Sequence, residues 1–165
     1  LYKLTDEYSL FYLKFIERST DHDKNSWIRQ QQNNHYAIWS GFAFESLCLK
    51  HITQIKRKLG IEGVRTGISA WRHSPSQSGQ GAQIDLLLDR QDNCINICEI
   101  KFYNTEFVID EKYALSLDNK LNLFRSETGT RKTLFPTMIT TFGTRKNENY
   151  LGRIQAEIVM EDLFR

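Results

Sequence analysis

At 165 residues, with 40% hydrophobic and 25% charged side chains and a net charge of +2, the chain has the balance of one globular domain able to bury a core. No apolar run approaches the roughly 20 residues that a bilayer span needs, and the first residues lack the basic and apolar blocks of a secretory leader. No membrane partner is therefore expected and a cytoplasmic location is; the small net charge leaves any nucleic-acid contact to be made locally.

The chain opens at Leu1 directly into Tyr2-Lys3-Leu4-Thr5-Asp6, which reads as a fragment of a longer protein or a trimmed chain. Residues 1–18 are rich in apolar and aromatic side chains (Leu10, Phe11, Tyr12, Leu13, Phe15, Ile16) and should pack on something. Residues 19–35 turn polar, which predicts an exposed connection or a polar helix anchored by Trp27. Residues 1–35 are thus read as a connecting, partly helical segment and 36–165 as the domain proper.

From Ile38 to about Leu59 apolar residues recur at intervals of three and four, the period of a helix, and Gly60 suits its end. Val64–His73 reads as a strand, and Ser74 to Gly81 as a flexible loop rich in Ser and Gly. Two apolar strands, Ala82–Leu88 and Cys94–Phe102, are joined by five polar residues, the length of a hairpin connection. Asp110 is placed to cap a helix running to Thr128. A strand over Thr133–Phe142 contains Pro136, which favours an edge or irregular position, and Ile154–Met160 is the last strand. Helix, three strands, helix, two strands predicts an α/β fold with a mixed central sheet flanked by helices.

Cys48, Cys94 and Cys98 are too few, and odd in number, for a disulfide framework; buried thiols are expected. His22, His35, His51 and His73 show no metal-ligand spacing. His73, at the mouth of the flexible loop, is placed to touch a substrate.

The chemistry concentrates on the middle strands. Alternation puts Ile95, Ile97, Glu99 and Lys101 on one face of their strand. An acid and an amine on a covered face cost free energy unless they pair or bind something. Asp85 interrupts the partner strand's apolar run and shares a face with Gln83 and Leu87. A hairpin brings Asp85 toward Glu99, and two close carboxylates repel unless a cation or a proton lies between them. Hard divalent cations take such oxygens, Mg²⁺ using one or two carboxylates plus water and phosphate. Lys101 is then placed to orient a water or neutralise developing charge. Glu45 falls on the stripe of Phe42, Leu49 and Ile52, where it adds a third acid. Taken singly, each residue has a plainer reading: an acid at a solvated strand end, an exposed Glu–Lys ion pair, a helix-surface acid.

Asp85, followed fourteen residues on by Glu99-Ile100-Lys101, resembles the motif of the PD-(D/E)XK nuclease superfamily. Glu45 resembles the acid many members carry on the helix before the sheet, and the predicted order resembles their restriction-endonuclease-like αβββαβ core. Tyr2–Tyr8, Trp39–Glu45 and Gly81–Leu88 further resemble the C-terminal region of a family of archaeal and bacterial AAA+ ATPases. There an ATPase module and a winged helix precede a nuclease-like domain. The resemblance implies Asp85 and Glu99 as metal ligands with the Ile100 carbonyl and Glu45 in support, Lys101 as the catalytic lysine, and Mg²⁺ or Mn²⁺ as the ion. Gln83, Tyr113 and Lys120 are candidates for support of the site or for substrate contact. It implies DNA as partner, the ATPase and winged-helix parts on the same polypeptide, and a homodimer as an option. The chain has no G-x-x-x-x-G-K-[ST] loop, so ATP binding would lie outside it.

Two functions compete: a metal-dependent DNA phosphodiesterase, and a silent nuclease-fold module that binds DNA or a partner. The first calls for basic residues flanking the cleft, for which Lys50, Lys56, Arg57, Lys58, Arg72, Arg145 and Lys146 are the candidates.

Overall fold

A computed structural model describes residues 4, 6–17, 26–31, 33–74 and 81–165. Residues 19–25 and 32 of the predicted polar stretch, with His22, the side chain of the predicted anchor Trp27, and residues 75–80 of the Ser/Gly-rich loop lie outside the described residues.

Helix α1 (Glu7–Phe11) is capped by Asp6, whose carboxylate accepts from the Ser9 N–H at 2.7 Å, and continues as a π-helical turn over Tyr12–Ile16. Apolar rings at this spacing need a partner surface, and Phe11 and Phe15 find it on Trp39, at 5.4 and 5.6 Å between ring centres. Helix α2 spans Ser26–Gln31.

The predicted Ile38–Leu59 helix is two helices, α3 (Asn34–Lys50) and α4 (Ile52–Lys58), broken at His51 with φ −109° and ψ 30°. The His51 ring bonds the Leu47 carbonyl at 2.8 Å, sharing it with the His51 N–H, which also reaches the Cys48 carbonyl. The buried stripe of α3 is Ser40, Phe44 and Cys48, while Phe42 and Leu49 face outward. The stripe expected to hold Glu45 is therefore not the core stripe. The helix is apolar on more than one side, and hydrophobic spacing alone did not choose between them.

The sheet runs β1 (Thr66–His73), β2 (Ala82–Arg90), β3 (Cys94–Lys101), β4 (Thr133–Thr140) and β5 (Ala156–Val159), in that order. β1–β2 and β2–β3 are antiparallel; β3–β4 and β4–β5 are parallel. Between β3 and β4 comes α5 (Glu111–Thr128), the helical crossover that a parallel pair requires. Asp110 caps it by accepting from the Tyr113 N–H at 2.7 Å, and Gly129 ends it at φ 61°, the left-handed turn that glycine adopts freely. The fold is α/β with a five-stranded mixed sheet flanked by helices.

Both faces of β3 are covered, which explains its near-continuous apolar run. On one face Cys98 and Ile100 pack with Leu86, Leu88, Ile139 and Ile158 against Phe44, Cys48 and Ile55 of α3 and α4. On the other, Ile95 and Ile97 pack with Ile84, Leu87 and Phe124 of α5. Cys48 and Cys98 are buried free thiols and Cys94 is half-buried.

Pro136 does not mark an edge, since β4 lies between β3 and β5. Its carbonyl accepts from the Gln155 N–H at 3.0 Å, just before β5 begins at Ala156. The missing Pro136 N–H thus faces the side where the ladder has not yet started, so no sheet bond is lost. The last strand is shorter than predicted: Val159 passes into a 3-10 turn (Met160–Phe164), and the Asp162 carboxylate takes the Val159 N–H at 3.0 Å. Among the described residues no helix is long and apolar enough to cross a membrane.

Candidate active site

The site lies where β2 and β3 part. Their ladder runs from Asp89↔Ile95 to Leu86↔Cys98 and stops. One residue further, the Asp85 side chain replaces the missing strand bond: its Oδ2 accepts from the Ile100 N–H at 3.1 Å. A bulge in β2 prepares this. The two steps from Ser69 to Trp71 on β1 face three steps from Leu87 to Ile84 on β2, and a bulge of this kind re-aims a side chain. Strict alternation along β2 therefore fails: Ile84 and Leu87 share a core cluster, yet Asp85 still reaches the space in front of Glu99.

Glu99 comes from the covered strand β3 and is 3% exposed. Two residues of α5 hold it. The Lys120 ammonium donates to its Oε1 at 2.5 Å, and the Tyr113 hydroxyl donates to its Oε2 at 3.4 Å. Burial pushes the Glu99 carboxyl above its ordinary range; Lys120, and less strongly Lys101, oppose that shift. Burial and the neighbouring Glu99 likewise raise the Tyr113 phenol, so it remains a neutral donor at physiological pH.

Lys101 stands between the two acids, its Nζ 4.0 Å from Asp85 Oδ2 and 3.8 Å from Glu99 Oε2. At those distances it neutralises without a tight hydrogen bond, and it is the most exposed of the four ionic groups, at 32%. Gln83 lies 3.5 Å from Asp85 Oδ1 and accepts from Arg72 at 2.8 Å. These groups open into a cavity of about 830 Å³ lined by Gln83, Asp85, Glu99 and Lys101 on the sheet side and by Lys112, Ser116, Asn119 and Lys120 on α5.

Asp85, Glu99, Lys101, Gln83, Tyr113 and Lys120 are thus together, as the sequence led us to expect, with Ile100 contributing its N–H to Asp85. Glu45 is half-buried on α3 and is not among the residues that line the cavity; it acts electrostatically on Cys48, as Asp85 also does. His73 is turned elsewhere, 3.4 Å from Glu127 and stacked on Trp71.

The expected basic flank is largely occupied with other work. Lys50 pairs with Glu7, Arg57 with Glu62, Lys58 with Asp162 and Lys146 with Glu157, while Lys56 donates to the Val64 carbonyl. Arg145 is exposed and does not line the cavity. Arg72 alone of those candidates reaches the site, through Gln83. The sequence reading missed Lys112, Ser116 and Asn119. The signal was present: Lys112 and Ser116 precede Lys120 by eight and four residues, the spacing of one helix face.

Among the described residues no three His, Cys, Asp or Glu side chains gather into a metal cage. Asp85 and Glu99 form the smaller donor set, two carboxylates lining one cavity. That suits Mg²⁺ or Mn²⁺ completed by water and phosphate oxygens, rather than an all-protein site.

No family model and no curated protein matches the chain. A crystal structure of a protein of unknown function (AF1548) is similar at 16% identity over 71% of this chain, with a TM-score of 0.46. The match spans 64% of that protein's own length.

Proposed function

We propose that the chain is a PD-(D/E)XK nuclease-like domain with a restriction-endonuclease-like core, hydrolysing phosphodiester bonds of DNA with Mg²⁺ or Mn²⁺. The observation that carries this reading is Asp85 at the β2–β3 fork, facing Glu99 and Lys101 across one open cavity. Three antiparallel strands, a helix and a parallel strand support it, as they match the αβββαβ order. Asp85 and Glu99 would hold the ion, which supplies water activation and charge neutralisation at the phosphate. Lys101, which lies no closer than 3.8 Å to either acid, would turn to the attacking water or to the phosphate oxygen that gains charge. Lys120 and Tyr113 keep the Glu99 carboxylate oriented. The proposal includes the sequence resemblance to the C-terminal region of AAA+ ATPases, whose nucleotide site would lie outside these residues.

A second reading, a silent module of the same fold, draws on the ion pair Lys120–Glu99, since an acid already matched at 2.5 Å has a structural use. Incubating mixed DNA substrates with Mg²⁺ or Mn²⁺ separates the two. Cutting that depends on the metal and falls about 100-fold or more in both Asp85→Asn and Lys101→Ala is the expected result. Absent cutting together with absent Mn²⁺ binding by the wild type leaves the silent module.

A further inference from the structure

The cavity wall opposite the sheet is one face of α5, where Lys112, Ser116, Asn119 and Lys120 follow one another at helical spacing. At about 1.5 Å per residue, Lys112 stands about 12 Å along the axis from Lys120. The four differ in how they are used. Lys120 is committed to Glu99. Lys112, Ser116 and Asn119 are exposed, and among the described residues none of them makes a hydrogen bond or an ion pair.

The charge of the cavity sharpens the point. Lys101, Lys112 and Lys120 face Asp85, Glu99 and Glu111, three cations against three anions, so the lining is neutral. A divalent ion held by Asp85 and Glu99 adds two positive charges. Lys101 and Lys120 lie beside the reacting centre, which leaves Lys112 as the lysine of the lining placed to act away from it. A duplex strand carries a phosphate about every 3.4 Å of its axis, so the Lys112-to-Asn119 stripe of about 10 Å reaches past more than one phosphate.

We infer that the Lys112–Ser116–Asn119 face of α5 is a backbone-binding track for the DNA strand flanking the scissile phosphate. The site then takes an extended strand in preference to a mononucleotide or a small phosphodiester. This rests on the phosphodiesterase reading above and adds to it the residues that position the substrate. A lysine and two short donors without partners satisfy successive phosphates without reading bases, the usual division of labour at such interfaces.

The experiment has two arms on the full chain. In the first, wild type and Asp85→Asn are compared on bis(p-nitrophenyl) phosphate with Mn²⁺. In the second, binding of a fluorescein-labelled 12-nucleotide DNA is measured with Ca²⁺ at several salt concentrations, for wild type, Lys112→Ala, Lys112→Arg and Ser116→Ala/Asn119→Ala. All three positions are exposed, and the helix content of each variant by circular dichroism guards against misfolding. We expect Lys112→Ala to weaken binding about tenfold and to flatten the salt slope by about one, with Lys112→Arg near wild type and the double variant between them. If the small diester is hydrolysed in an Asp85-dependent way while the Lys112 and Ser116/Asn119 variants bind DNA as wild type does, the track is refuted and the phosphodiesterase stands. If no Asp85-dependent hydrolysis occurs and wild type does not bind the strand, both readings fall.

Discussion

Glu99 sits where its own charge is unwelcome, and that governs how the site should respond to pH. Burial raises its carboxyl above the ordinary value of 4.5, with Lys120 pulling the other way. The folded state therefore holds this proton more tightly than the unfolded chain does. The sign follows: Glu99 favours folding below the ordinary carboxylate value, and that contribution is lost as pH rises through the raised one. At neutral pH the ionised Glu99 is a cost that Lys120 offsets, tolerable where an acid is kept for use rather than for stability. A divalent ion binds only the ionised form. Mn²⁺ affinity, titrated calorimetrically across a pH series, should therefore fall as pH drops through the raised value, with proton release on binding below it. In Lys120→Met the fall should begin at higher pH, because the strongest opposing charge is gone. An affinity flat down to the ordinary carboxylate range would mean that Glu99 does not ligate the ion.

Among the elements, α5 matters most, because one helix brings Tyr113 and Lys120 to Glu99 and lays Lys112, Ser116 and Asn119 along the cavity. Its ends were legible in the sequence, Asp110 as the cap and Thr128 as the last residue, and the structure adds Gly129 in the left-handed turn just beyond. Asp110→Ala removes the oxygen that satisfies the Tyr113 N–H and should cost about 1 kcal/mol of unfolding free energy, read by urea melts. A loss well under half of that would show that tertiary packing, not the cap, holds the first turn. Strands β2 and β3 were equally legible, because both-face burial writes itself as apolar runs. What escaped were features decided by local geometry or by single tertiary contacts. The break at His51 is a local backbone turn, φ −109° and ψ 30°, that hydrophobic spacing does not encode. The place of Pro136 depends on where β5 begins. The inward side of α3 depends on which of two apolar stripes meets the sheet. The Asp85–Glu99–Lys101 core of the site was legible for the opposite reason: charged groups in covered strands stand out in a linear sequence. Lys112 was overlooked although its spacing to Lys120 puts both on one helix face, because on an exposed helix a lysine draws no notice until the cavity beside it is known.

For the molecule as a whole, charge sets what kind of DNA binding to expect. A net charge of +2 gives little long-range steering, and many basic side chains outside the cavity are already paired with acids. If DNA is the substrate, the phosphate contacts come mainly from the cavity lysines not committed to an acid, Lys101 and Lys112. Each neutralised phosphate contributes about 0.7 (single strand) to 0.9 (duplex) to the fall of log K with log salt. Two such contacts correspond to a slope of about −1.4 to −1.8. Anisotropy titrations between low and moderate salt should find a slope in that range, and close to one unit shallower for Lys112→Ala. A wild-type slope steeper than about −6 would require a broad basic surface elsewhere on the chain. The cavity would then be a minor part of the interface, and the strand would be held chiefly by residues other than those on α5.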